Sequence, residues 1–110
     1  MKHFLLFYTT TEKYLAERGI WRPEHFVHAW KASREGGLVV GGALEPQENM
    51  CVVMFEAESK QAAEDFARND PYVREGLISD WRVVEWFTVA GELALAPIAK
   101  PAPDEAVAAQ

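Results

Sequence analysis

A chain of 110 residues with 49% hydrophobic and 25% charged residues has the composition of one globular domain, which excludes wholesale disorder, and roughly two-thirds of its surface can be buried on folding. A net charge of −6 repels phosphate backbones, so a nucleic-acid partner is not expected. The lone cysteine, Cys51, rules out an internal disulfide or a multi-cysteine zinc site, and no apolar run approaches the roughly 20 residues that span a bilayer; a cytoplasmic domain with no membrane partner is expected.

His3-Phe4-Leu5-Leu6-Phe7-Tyr8 has the composition of a buried strand, which Thr9-Thr10-Thr11 extends or follows with a cap. Residues 12–21 are mixed and charged around Gly19, and read as a loop or a short helical turn. The clearest helical signal runs from Pro23 to Glu35. Pro23 suits a first helical position, and Phe26, Ala29, Trp30 and Ser33 keep the spacing of a core-facing stripe. Gly36-Gly37 stops the helix.

Leu38–Leu44 and Met50–Phe55 read as two strands joined through Glu45–Asn49. Ser59 offers a cap for a second helix to about Arg68, with Ala62, Ala63, Phe66 and Ala67 at helical spacing. Asn69-Asp70-Pro71 breaks it and begins a short helix ending at Gly76. Ile78–Thr88 is the last strand. Residues 91–110, rich in Pro and Ala, read as a partly flexible extension of a domain spanning 1–90, with residues after Ala99 dispensable for folding.

The order β-α-β-β-α-β predicts an α+β fold, a ferredoxin-like sandwich. Two helices cover one side of such a sheet. The first and third strands are apolar on both faces, so the uncovered side predicts face-to-face packing of two copies, with a tail folded back over the sheet as the alternative.

Among candidate chemical groups, His25 and His28 lie three apart on the first helix, with His25 at the edge of the apolar stripe. His28 reads as a surface histidine and His3 as a strand-end residue. Asp70 has two readings: an N-cap, or a carboxylate that fixes the tautomer of His25. Cys51 reads as a small buried hydrophobe, the four tryptophans as packing residues, and Glu56 and Glu58 as a solvated face. No Gly-rich phosphate loop occurs. A metal-dependent reading would need a carboxylate beside His25 and His28.

Arg22-Pro23-Glu24-His25-Phe26, followed by Gly37-Leu38-Val39-Val40-Gly41-Gly42-Ala43-Leu44, resembles the YCII-related (YciI-like) family. Asn69-Asp70-Pro71-Tyr72, Gly76-Leu77-Ile78-Ser79-Asp80-Trp81 and Val83-Val84-Glu85-Trp86 carry the same resemblance, over roughly residues 1–88. Phe26 stands where the family more often has leucine, and the Pro-rich extension is a further departure. The resemblance implies ferredoxin-like subunits paired into a dimeric α/β barrel, with His25 and Asp70 as the catalytic pair. It also implies a small enzyme without metal or cofactor, a lyase, dehydrochlorinase or isomerase, one branch being similar to a dehydrochlorinase of a chlorinated hydroxylated aromatic. The alternative is a non-catalytic dimeric module that binds a small ligand.

Overall fold

The computed structural model describes residues 1–44 and 49–99. Its elements are β1 (Lys2–Thr10), α1 (Lys13–Glu35), β2 (Leu38–Ala43), β3 (Met50–Ala57), α2 (Gln61–Asn69), α3 (Pro71–Arg74) and β4 (Ile78–Trp86). The strands form one antiparallel sheet in the order β2-β3-β1-β4. This is the ferredoxin-like α+β arrangement that the element order predicts.

Period-two alternation divides the sheet into two faces. Phe4, Leu6 and Tyr8 of β1 share the helix-facing side with Val53 and Phe55 of β3 and Val83 of β4, and all six are buried. From α2, Ala63, Phe66 and Ala67 close over them, joined by Tyr72 and Leu77. Leu5, Phe7, Val52 and Val84 point to the opposite face and are half-buried. The residues between β2 and β3 that would make the expected connection, 45–48, lie outside the described part of the chain.

The first helix departs from expectation. It begins at Lys13, so residues 13–21 are helical and Pro23 lies inside the helix rather than at its start. Thr11, just before it, serves its first N–H groups: its Oγ1 accepts from the Lys13 N–H at 3.2 Å and its carbonyl from the Tyr14 N–H at 3.0 Å. An interior proline removes the bond to the carbonyl four residues back, that of Gly19, and costs about 3 kcal/mol. Tertiary packing opposes that cost. Tyr14 and Trp21 pack on the core, and the Tyr14 ring meets Tyr72 edge-on at 5.9 Å.

The apolar stripe of α1 is also displaced. Ala29 and Ala32 pack on the core, whereas Phe26 and Trp30 remain 48% and 64% exposed. No residue of α1 is fully buried. In its C-terminal half the helix rests on these alanines, and a cleft stays open between it and the edge strand β2.

The chain after β4 turns back. Gly91 adopts φ +104, and beyond it the Leu95 N–H donates to Thr88 Oγ1 at 3.0 Å, Ala96 N–H to the Thr88 carbonyl, and Ile98 N–H to the Val89 carbonyl at 2.8 Å. Residues 95–98 are therefore held to the end of β4 by hydrogen bonds; the expected flexible end falls on residues 100–110, outside the described part. Beneath this return lies His3, 1% exposed. Its Nδ1 meets Thr88 Oγ1 at 2.8 Å and its Nε2 meets Glu56 Oε1 at 2.9 Å. His3 is thus a buried link rather than a simple strand-end residue, because the β1–β3 register sets Glu56 directly opposite it.

Truncation after Ala99 should leave the thermal midpoint unchanged, whereas truncation after Ala90 should lower it by on the order of 10 °C, through loss of three hydrogen bonds worth about 1 kcal/mol each. Thermal denaturation of the two shortened chains beside the full one checks this.

Candidate active site

Asp70 stands where α2 ends and α3 begins. Its backbone leaves the helical region, at φ −74 and ψ 125, so its side chain can turn back over the start of α3. Oδ1 accepts from the Tyr72 N–H at 2.9 Å, which is the N-cap reading. The same oxygen lies 2.8 Å from His25 Nδ1, and Oδ2 accepts from the Tyr8 hydroxyl at 2.7 Å. The cap and the contact with His25 occur together. One fully buried carboxylate caps α3, holds the end of a core strand and receives the imidazole of α1.

The arrangement fixes the imidazole. An ionised carboxylate only accepts hydrogen bonds, so His25 Nδ1 carries the proton in this contact and the neutral ring has its lone pair on Nε2. The His25 side chain is 16% exposed, and its ring stacks on that of Tyr72, with centroids 3.9 Å apart and planes 6° apart. Phe26 leans on it at 5.3 Å. The described residues give Nε2 no hydrogen-bond partner, and His25 lines the cleft between α1 and β2.

Tyr8 keeps its proton. Burial raises its pKa far above the ordinary phenol range, and the neighbouring Asp70 charge raises it further. It is a constant donor to Oδ2. Burial also raises Tyr72, although the Arg22 guanidinium beside its hydroxyl pulls the other way.

The cleft has a volume of about 400 Å³, within the range of small-molecule sites. Phe26 and Trp30 wall it from the helix, and Tyr8, Cys51 and Val53 lie below. Cys51, expected to be buried, is half-buried here, with its thiol 3.9 Å from the Tyr14 hydroxyl. A larger depression of about 710 Å³ adjoins it near Thr10, Lys13 and Ser79, sharing Tyr14 and Ala43, but among the described residues no histidine, aspartate or cysteine lines it.

His28 takes no part. Its Nε2 donates to the Phe66 carbonyl at 2.8 Å and its ring stacks on Phe66, so it serves one of the orphan carbonyls ending α2. It is a packed residue rather than the free surface histidine expected. Among the described residues no three His, Cys, Asp or Glu side chains converge to hold a metal ion, and no helix is long and apolar enough to cross a membrane.

Sequence reasoning missed two members of the site, Tyr8 and Tyr72. For Tyr8 a signal existed: a phenol on the core-facing row Phe4-Leu6-Tyr8 needs a partner for its hydroxyl when buried.

The four-stranded sheet with its helices defines the class as small ferredoxin-like α+β proteins, and here an imidazole and a buried carboxylate meet at the seam of the long helix. Within that class the chain belongs to the YCII-related family, whose domain matches residues 1–87. It is similar in fold to 5-chloro-2-hydroxyhydroquinone dehydrochlorinase (TftG) from Burkholderia phenoliruptrix AC1100, solved with 2,5-dihydroxybenzoquinone. That match has a TM-score of 0.66 and 21% identity, and covers 78% of this chain and 94% of the other. An antibiotic biosynthesis monooxygenase matches with a TM-score of 0.53 at 14% identity, over 82% and 100% of the two chains. A NIPSNAP family protein from Agrobacterium tumefaciens str. C58 matches at 0.52 and 12%, over 84% and 95%. These likenesses establish the fold. Comparison with curated protein sequences gives no significant match.

Proposed function

We propose that the chain is a small enzyme working without a bound cofactor, a lyase of the dehydrochlorinase kind or an isomerase, in which His25 moves a proton and Asp70 orients it. The observation that carries this reading is the 2.8 Å contact of His25 Nδ1 with a buried carboxylate, in a cleft that leaves Nε2 to the substrate. Nε2 takes a proton from a substrate position acidified by a neighbouring carbonyl, and the Asp70 carboxylate stabilises the imidazolium formed. In elimination from a chlorinated hydroxyhydroquinone, one hydroxyl proton first moves to the chlorine-bearing carbon, giving a keto tautomer. Nε2 then takes a second hydroxyl proton, and that O–H electron pair becomes a carbonyl π bond. The enol π pair shifts to the chlorine-bearing carbon, and chloride departs with its own bonding pair. Chloride and a proton, handed from Nε2 to water, are then lost together. In isomerisation the same proton returns to a different carbon. Neither course needs an external oxidant or reductant.

The Tyr8 hydroxyl and Tyr72 N–H hold Asp70 in place, so the imidazole is oriented before substrate arrives. The likeness to a dehydrochlorinase supports elimination as the first chemistry to test. The wild-type protein is expected to release chloride from 5-chloro-2-hydroxyhydroquinone and His25→Ala is not, with chloride measured by ion chromatography. Equal release by both would remove His25 from the mechanism. No release by the wild type would favour the binding-module reading.

The chain is further proposed to pair as a homodimer through the sheet face opposite the helices, where Leu5, Phe7, Val52 and Val84 sit together.

A further inference from the structure

The cleft is charged against the character of the chain that makes it. The protein carries a net charge of −6, yet among the described residues those lining the cleft include no carboxylate and one permanent cation, Arg22. Arg18, Arg22 and His25 stand at i, i+4 and i+7, so α1 presents a line of cationic and cationisable groups on one face, ending at the cleft. Neither arginine has a carboxylate within ion-pair distance among the described residues, whereas Arg68 pairs with Asp65 and Arg74 with Glu24. Arg18 lies over the Tyr14 ring at 5.4 Å, and Arg22 faces the Tyr72 hydroxyl. The Asp70 carboxylate is itself engaged by His25, Tyr8 and Tyr72.

A guanidinium at the wall of a partly apolar cleft focuses positive potential there and favours an anionic occupant. The rest of the wall suits an apolar body. Phe26 and Trp30 leave large aromatic surfaces uncovered, and Leu38 and Val39 continue them. Gly41 keeps the floor low: it lies opposite Val53 on the helix-facing side of β2, where a Cβ would come within 3.2 Å of Val53 Cγ1.

We propose that Arg22 is the charge anchor of this cleft, and that the molecule it admits is a small organic anion with an apolar, ring-sized body. The inference rests on the cleft being the reaction site. Arg22 precedes His25 by three residues, which places the two side chains as neighbours on the helix, about 5–6 Å apart at Cβ. A carboxylate or enolate oxygen held by Arg22 leaves the adjoining carbons facing the imidazole. The same guanidinium then stabilises the negative charge that develops on that oxygen when a neighbouring carbon loses its proton.

The test is titration of the full chain with benzoate, cyclohexanecarboxylate and benzamide, following the His25 imidazole and Trp30 indole signals by NMR. Both acids are expected to bind more tightly than benzamide. Arg22→Gln should weaken the acids by about tenfold or more, the scale of one charge-assisted pair, and leave benzamide unchanged; Arg22→Lys should recover much of the loss. The proposal is overturned if benzamide binds as well as benzoate, if neither binds, or if Arg22→Gln keeps the acid preference. Should Arg22→Gln lower the thermal midpoint, Arg22→Lys and the wild-type ratio of benzoate to benzamide carry the test.

The same titration of His25→Ala, read at Trp30, separates this inference from the catalytic reading. An acid preference that survives there and vanishes in Arg22→Gln, in a protein without turnover, keeps the anchor and removes the chemistry. Turnover lost in His25→Ala, with the acid preference indifferent to residue 22, does the reverse.

Discussion

His25→Ala is expected to reduce turnover by about 10²- to 10⁴-fold, the usual contribution of a positioned general acid or base. Asp70→Asn should cost a comparable factor: asparagine still caps α3, but the charge that orients and stabilises the imidazolium is gone. The double variant should be scarcely slower than either single one, because residues acting as one unit lose their joint effect once. Steady-state rates of the three variants, with thermal midpoints measured beside them, check this. Multiplying losses in the double variant would mean that His25 and Asp70 act independently.

The second large effect is on assembly. Leu5 lies on the sheet face away from the helices, opposite Met54 on β3 and Val84 on β4. Leu5→Asp should convert the proposed dimer into a species of 12.4 kDa in sedimentation at micromolar concentration while the subunit fold persists. Val53→Asp places its charge on the other face, among Leu6, Phe55 and Phe66, and should abolish folding instead, since a buried unpaired charge is costly. Opposite outcomes at two residues of neighbouring strands would distinguish the two faces. A wild-type chain that sediments as 12.4 kDa would remove the dimer altogether.

Much of this architecture is legible in the chain. Glycine and proline mark the strand and helix breaks at Gly36-Gly37 and at Asp70-Pro71, and the β-α-β-β-α-β order follows from them. The same punctuation misleads at Gly19 and Pro23, where contacts made by Tyr14 and Trp21 outweigh two helix-disfavouring residues and α1 runs through. Those contacts are tertiary and leave no local pattern. Phe26 and Trp30 keep a core-like period for a different reason: they border a cavity, and a cavity wall has the spacing of a core without its burial.

For the site, the His25 and Asp70 pairing was suggested by the family resemblance and not by spacing. The place of Tyr8 depends on the end of β1 lying beneath the α2–α3 junction. His3 with Glu56 is invisible without the β1–β3 register, since each alone reads as an end-of-strand polar residue.

The sharing of Asp70 between architecture and the proposed chemistry has an evolutionary consequence. Its carboxylate answers a helix terminus, a core tyrosine and an imidazole at once, whereas His25 bonds to that carboxylate and stacks on Tyr72 beside the cleft. Selection for a foldable chain therefore protects the acid even where selection for turnover has lapsed, and it protects the histidine far less. In a lineage that abandons the reaction, position 25 should drift first, while the aspartate and its buried tyrosine persist as a relic of the lost activity.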